Sequence, residues 1–158
     1  MKRRQDLIRL PATGVLVAAC CLLITSGLAA GEFTIEPGGK RLAEALATAG
    51  PGDTLMLRTG VHAGNLVVAT PGLTLDGEPG AVVDAEGSGR VITVFAANVT
   101  VRGLTLRNSG TDFTEVDSGV FVDKTGDGAL IVDNQFEGNL FGVYLHGPDN
   151  VVVRGNKI

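Results

Sequence analysis

Beyond its first 30 residues the chain holds three side chains that ligate soft or borderline metals: His62, His146 and Met56. Imidazole and thioether are the donors left to a protein without usable thiols, and both cysteines, Cys20 and Cys21, fall within the N-terminal stretch. No two of the three stand at a ligand-pair spacing, so a site built from them needs distant parts of the chain to converge. Each also has a plainer reading. His62 lies in Gly60-Val61-His62-Ala63-Gly64, a turn-like segment in which a histidine is more often structural or solvated. His146 opens His146-Gly147-Pro148-Asp149-Asn150, a corner where an exposed imidazole is expected. Met56 has the opposite parity from Leu55 and Leu57, which would expose it in a strand, yet a thioether filling a core gap or contacting the helix is the favoured reading.

Carboxylates form the second group. Asp112, Glu115, Asp117 and Asp123 cluster around one irregular stretch and are the only acidic concentration able to suggest acid-base chemistry. Asp123-Lys124-Thr125-Gly126-Asp127-Gly128 opens like a calcium loop, but the twelfth position is Asn134 where a bidentate glutamate belongs, so a corner turn is the better reading. Asn98-Val99-Thr100 fits a glycosylation pattern and is read instead as a turn asparagine.

The elements that must position these groups are betrayed by a repeat. Ala129-Leu130-Ile131-Val132-Asp133-Asn134-Gln135-Phe136 returns as Val151-Val152-Val153-Arg154-Gly155-Asn156-Lys157-Ile158, 22 positions later, and an earlier copy is Val99 to Leu106. In a second register, Gly119-Val120-Phe121-Val122 matches Gly142-Val143-Tyr144-Leu145 at a spacing of 23. Short apolar/polar alternations separated by Gly, Asn and Asp at this period predict a β-solenoid, in which each coil buries its apolar side only against its neighbours. The strands are too short for a sandwich and their turns too short for helical crossovers. The predicted fold is therefore all-β, a right-handed parallel β-helix (solenoid). Val99, Val101, Leu106, Ile131, Phe136, Val153 and Ile158 are expected to point inward in stacked layers. Asn98, Asn134, Asn150 and Asn156 are expected at corners, adopting left-handed backbone angles and bonding neighbouring amides. Asn108 to Asp117 inserts about eight residues into one coil, and protruding turns of that kind are where solenoids carry function.

One helix is predicted, from Arg41 to Ala49, with Leu42, Ala45, Leu46 and Ala49 on one face and Gly50-Pro51-Gly52 ending it. Placed before the first coil, it is expected to cover the open end of the stack. Residues 1–30 read as a signal peptide: Lys2, Arg3, Arg4 and Arg9 precede an apolar run and small residues at Ala29-Ala30. The remainder divides into 31–64, capping helix and first coil, and 65–158, further coils. The last coil stops in mid-pattern at Ile158, which predicts an N-terminal, C-terminally truncated piece of a longer solenoid.

Composition narrows the function classes. Thirteen basic and 17 acidic residues give a net charge of −4, and four of the bases lie in the signal segment, so the mature surface is acidic and argues against nucleic-acid binding. Without cysteines beyond residue 30 there is neither a disulfide framework nor a thiolate metal site. Gly supplies 23 residues, placed at turns, while Trp is missing, so Val, Leu and Ile must build the core.

Gly39 to Gly64 resembles the N-terminal cap and first coil of pectate-lyase-like right-handed β-helices. The runs Leu73-Thr74-Leu75-Asp76-Gly77, Asn98 to Gly110, Gly119 to Asp123 and Phe136 to Leu145 are similar to NosD, the family of nitrous oxide reductase accessory proteins. That resemblance implies a periplasmic protein of denitrifying bacteria that works beside an ABC-type ATPase and permease to help deliver copper to nitrous oxide reductase. It implies no catalysis, and no catalytic residues are assigned; the Asp-Pro-His-Glu signature of β-helix epimerases and the paired aspartates of polygalacturonases are both missing. Copper, if handled, would meet His62, His146 and Met56 weakly and transiently in this chain alone. A carbohydrate-binding or carbohydrate-cleaving β-helix and a structural surface solenoid are the alternatives.

Overall fold

The computed structural model describes residues 29–158; the signal-peptide expectation, with Cys20 and Cys21, lies outside them. The chain enters as β1 (Glu32–Ile35), passes through the helix α1 (Arg41–Thr48) and then winds through coils of three strands each. The first coil is β2 (Thr54–Leu57), β3 (Gly60–Ala63) and β4 (Leu66–Val68); the second is β5 (Thr74–Gly77), β6 (Ala81–Asp84) and β7 (Ile92–Val94). The third is β8 (Thr100–Arg102), β9 (Thr105–Arg107) and β10 (Ser118–Asp123); the fourth is β11 (Leu130–Val132), β12 (Gln135–Glu137) and β13 (Phe141–His146). A fifth begins with β14 (Val152–Arg154).

Successive coils pair in parallel, giving three sheets that run the length of the stack. Sheet A is β1-β2-β5-β8-β11-β14, sheet B is β3-β6-β9-β12, and sheet C is β4-β7-β10-β13. The architecture is the parallel β-helix that the repeat implies. Because the register aligns like with like, apolar residues form continuous inward rows. On sheet A, Leu55, Leu75, Val101 and Ile131 stack in register and are all buried. On sheet B the inward row is His62, Val83, Leu106 and Phe136.

Of the seven side chains expected inside, Val99, Val101, Leu106, Ile131 and Phe136 are buried. Val153 and Ile158 keep the predicted register but are 43% and 78% exposed. They belong to the fifth coil, and among the described residues no coil stacks on its far side to pack against them.

The amphipathic stripe on α1 explains its position. Leu42 is buried and Ala45, Leu46 and Ala49 pack on the core at the start of the stack, against β1, β3 and β4. Strand β1 is an element the sequence reading omits. It pairs with β2 from Glu32↔Thr54 to Ile35↔Leu57, so sheet A begins one strand before the first coil.

The corners are held by asparagines, though not in the expected way. Asn98 and Asn150 adopt left-handed angles (φ of 58° each), but Asn134 and Asn156 do not. The left-handed position is the residue before them, Asp133 (φ 55°) and Gly155 (φ 69°), matching Gly103 (φ 69°) one coil earlier. Turning the chain there frees Asn134 to point inward, where only 3% of its surface is exposed. Its Nδ2 donates to Val101 O (2.9 Å) and its Oδ1 accepts from Leu104 N–H (3.1 Å). Leu104 N–H would otherwise be buried without a partner, while Val101 O is also paired along the sheet by the parallel register of β8 with β11.

Candidate functional site

Coil length varies almost entirely in one turn, the passage from sheet B to sheet C. It takes two residues in the first coil (64–65), seven in the second (85–91), ten in the third (108–117) and three in the fourth (138–140). The two long turns lie side by side and are tied together, Gly87 N–H donating to Asn108 O (2.8 Å) and Gly110 N–H to Gly89 O (2.8 Å). Between them and the outer face of sheet C is an open cavity of about 280 Å³ lined by Asn65, Gly89, Arg90, Thr93, Glu115 and Asp117.

The 108–117 turn is internally braced. Asp112 Oδ1 accepts from the N–H groups of Thr114 (2.7 Å) and Glu115 (3.2 Å), while Asp112 N–H donates to Asp117 Oδ2 (3.0 Å) and Asp117 N–H to Asp112 O (3.1 Å). These bonds absorb the carboxylate cluster noted in the sequence: Asp112 and Asp117 act on the loop backbone. Glu115 is exposed, and Asp123 caps the corner after β10 by accepting from Thr125 N–H (3.3 Å). Among the described residues no group of three or more His, Cys, Asp or Glu side chains converges as a metal cage would require.

The bracing also presents Phe113, 71% exposed, at the tip of the turn. Phe113 meets Phe141 edge-on with ring centroids 6.0 Å apart, and Phe141 leans on Tyr144 at 5.8 Å. Tyr144 stacks on Phe121 (5.7 Å, 9° between planes), and Phe121 also stacks on His146 (5.9 Å, 23°). Sheet register produces this contact chain, because β10 and β13 pair Phe121↔Tyr144 and Asp123↔His146. Arg90 closes the other side of Phe121, its guanidinium carbon 3.7 Å from the ring centroid, a cation–π contact. Arg90 is held there by the carbonyls of Val116 (Nε donating, 3.3 Å) and Glu115. The result is an aromatic ridge on the outer face of sheet C beside the braced turn.

The three candidate metal ligands are not brought together. His62 is in strand β3, not in a turn; it is 1% exposed, faces inward beside Val83, and its Nε2 is 2.9 Å from Arg58 O. It is a core histidine with its polar atom satisfied. Met56 is not a core filler: it is half-buried on the outer face of sheet A, in register between Thr34 and Asp76. His146 is exposed at the end of β13, three coils away on sheet C, and belongs to the aromatic ridge.

Elsewhere the outer faces carry ion pairs between adjacent rungs. On sheet B, Arg107 Nε donates to Asp84 Oδ2 (2.7 Å) and Asn108 Nδ2 to Asp84 Oδ1 (3.0 Å). Partial burial works against the Asp84 charge, but the Glu86 N–H, Asn108 and Arg107 outweigh it and hold this carboxyl below the usual carboxylate range. On sheet A, the hydrogen-bonded Asp76 carboxylate raises the pKa of Arg102.

No family model matches the sequence. Over 102 residues, 65% of this chain, it is 40% identical to the "Probable ABC transporter binding protein NosD" of Pseudomonas aeruginosa. It is 37% identical over a stretch of the same length to the protein of that name from Stutzerimonas stutzeri. The chain is similar to NosD. It spans about a quarter of those relatives' length, 24% and 23% respectively. Among solved structures, a pectin methylesterase in complex with a hexasaccharide matches with a TM-score of 0.57 and 22% identity, covering 72% of this chain and 45% of that one. Pectin methylesterase PemA from Erwinia chrysanthemi matches with the same TM-score at 21% identity, with the same shares covered. At that identity the likeness establishes the β-helix fold alone, and NosD similarity is the finding that bears on role.

Proposed function

We propose that this chain is part of a periplasmic accessory protein that works with an ABC-type transporter to assist copper delivery to nitrous oxide reductase, its β-helix serving as a docking scaffold. The observation that carries the reading is the 40% identity to a protein named as an ABC transporter binding protein. The site chemistry agrees with a docking role: exposed aromatic and histidine side chains on a rigid sheet face suit recognition, and Asp112 and Asp117 are committed to bracing a loop. Periplasmic export is the role of the basic and apolar segment 1–30, with the mature chain starting near Gly31.

In this reading copper is cargo: His62 is enclosed in the core, and the separated Met56 and His146 give the chain only weak, transient affinity for it. Nitrous oxide reductase isolated from a strain lacking the gene should be copper-deficient, and the full-length protein supplied in trans should restore its copper content. Normal copper content in the deletion strain would overturn the proposal.

A further inference from the structure

We propose that the aromatic ridge of sheet C, anchored by Phe113, is the surface that docks the transporter partner, and that it takes an apolar segment with lysine or arginine at its Phe113 end; this rests on the function proposed above. Three observations lead there. Phe113 is the most exposed aromatic side chain described, yet it sits on a turn fixed by four hydrogen bonds, so binding it requires little further ordering. Its ring continues through Phe141 and Tyr144 toward His146, giving a contiguous aromatic surface of the kind that supplies interface anchors.

Charge selects the occupant. Asp112 and Glu115 are exposed beside Phe113, and Asp123 borders the far end at His146. Arg90, the cation nearest the ridge, is folded onto Phe121 and bonded to two carbonyls. Exposed Lys124 offsets Asp123 at the His146 end, so the rim is negative where Asp112 and Glu115 flank Phe113, and its complement is an apolar segment with cationic side chains at that end.

The test measures binding of the full-length protein to its transporter's membrane subunits in nanodiscs, at low and high salt. Phe113→Ala should weaken binding about 30-fold through faster dissociation. Glu115→Lys should weaken it at low salt and flatten the salt dependence. Val61→Ala, which removes an exposed apolar side chain from the outer face of sheet B, should leave affinity within about twofold. Circular dichroism of each variant should match the parent, since Phe113 and Glu115 are exposed. Unchanged affinity in Phe113→Ala and Glu115→Lys would overturn the docking face while leaving the proposed function standing. Failure of the parent protein to bind the transporter would overturn both. An oligosaccharide that binds the parent and not Phe113→Ala, with transporter affinity unchanged, would assign the ridge to a saccharide and overturn the proposal.

Discussion

Asn156 stands one coil above Asn134, and its Oδ1 accepts from both the backbone N–H (2.9 Å) and the side-chain Nδ2 (3.1 Å) of Asn134. Asn156 Nδ2 in turn donates to Ile131 O (2.7 Å), repeating the bond from Asn134 to Val101 O one rung lower. The pair is a two-step ladder that satisfies the inner corner between sheets A and B.

Asn134→Ala should therefore cost about 1–3 kcal/mol, since it strands Leu104 N–H in the interior and removes the bond to Val101 O. Asn156→Ala, in the less covered fifth coil, should cost less. Urea denaturation of the two variants checks the order, and equal losses would contradict the ladder.

Phe136 and Gly119 make a second pair. A Cβ on Gly119 would lie 2.5 Å from Phe136 Cδ1 and 2.7 Å from Gly142 O, so Gly119→Ala should destabilise by about 1–3 kcal/mol through overpacking. Phe136→Ala should cost about 3–5 kcal/mol by leaving a cavity. Because Gly142 O is backbone and cannot yield, Gly119→Ala combined with Phe136→Leu should remain less stable than Phe136→Leu alone. Thermal unfolding of these variants decides it.

Asp84 predicts an acid limb of stability. Its carboxyl is held below the ordinary range in the folded protein, so its contribution is present above the unfolded pKa, about 3.9, and disappears as pH falls through the folded value. Asp84→Asn should thus lose stability at neutral pH, and the difference from the parent should narrow below about pH 4. Chemical denaturation at several pH values would show the convergence.

The two histidines should separate cleanly. His62→Ala removes a buried ring and should lower stability by about 2 kcal/mol or more without altering a weak Cu(II) titration. His146→Ala should change stability by no more than about 0.5 kcal/mol and reduce whatever copper response the chain has. Loss of a tight copper site in His62→Ala would contradict its placement in the core.

The inward rows were legible because parallel stacking converts a sequence period into spatial register, so Val101, Ile131 and Leu106 could be assigned from spacing. His62 was harder: the glycines at 60 and 64 read as turn punctuation, whereas Gly60 opens a strand and the histidine takes an inward position. The left-handed corner angle was assigned to the asparagine because both roles favour that residue type, and only the backbone separates them between Asp133 and Asn134. The ridge was within reach. The 23-residue match of Gly119-Val120-Phe121-Val122 with Gly142-Val143-Tyr144-Leu145 already pairs Phe121 with Tyr144, but Phe113 and Arg90 reach it only through turns whose course no periodicity encodes.

The long turn also says something about chain entropy. Register partners on β11 and β14 are 22 residues apart, as in Ile131↔Val153, whereas β8 and β11 partners such as Val101↔Ile131 are 30 apart. Loop closure grows only logarithmically with length, so those extra residues raise the closure cost by about 0.3 kcal/mol. A winding chain of this kind can therefore extend or exchange one turn, with its display residue, at almost no thermodynamic expense, while the rungs above and below keep their register. Diversification of what the surface recognises is uncoupled from the stability of the stack that carries it.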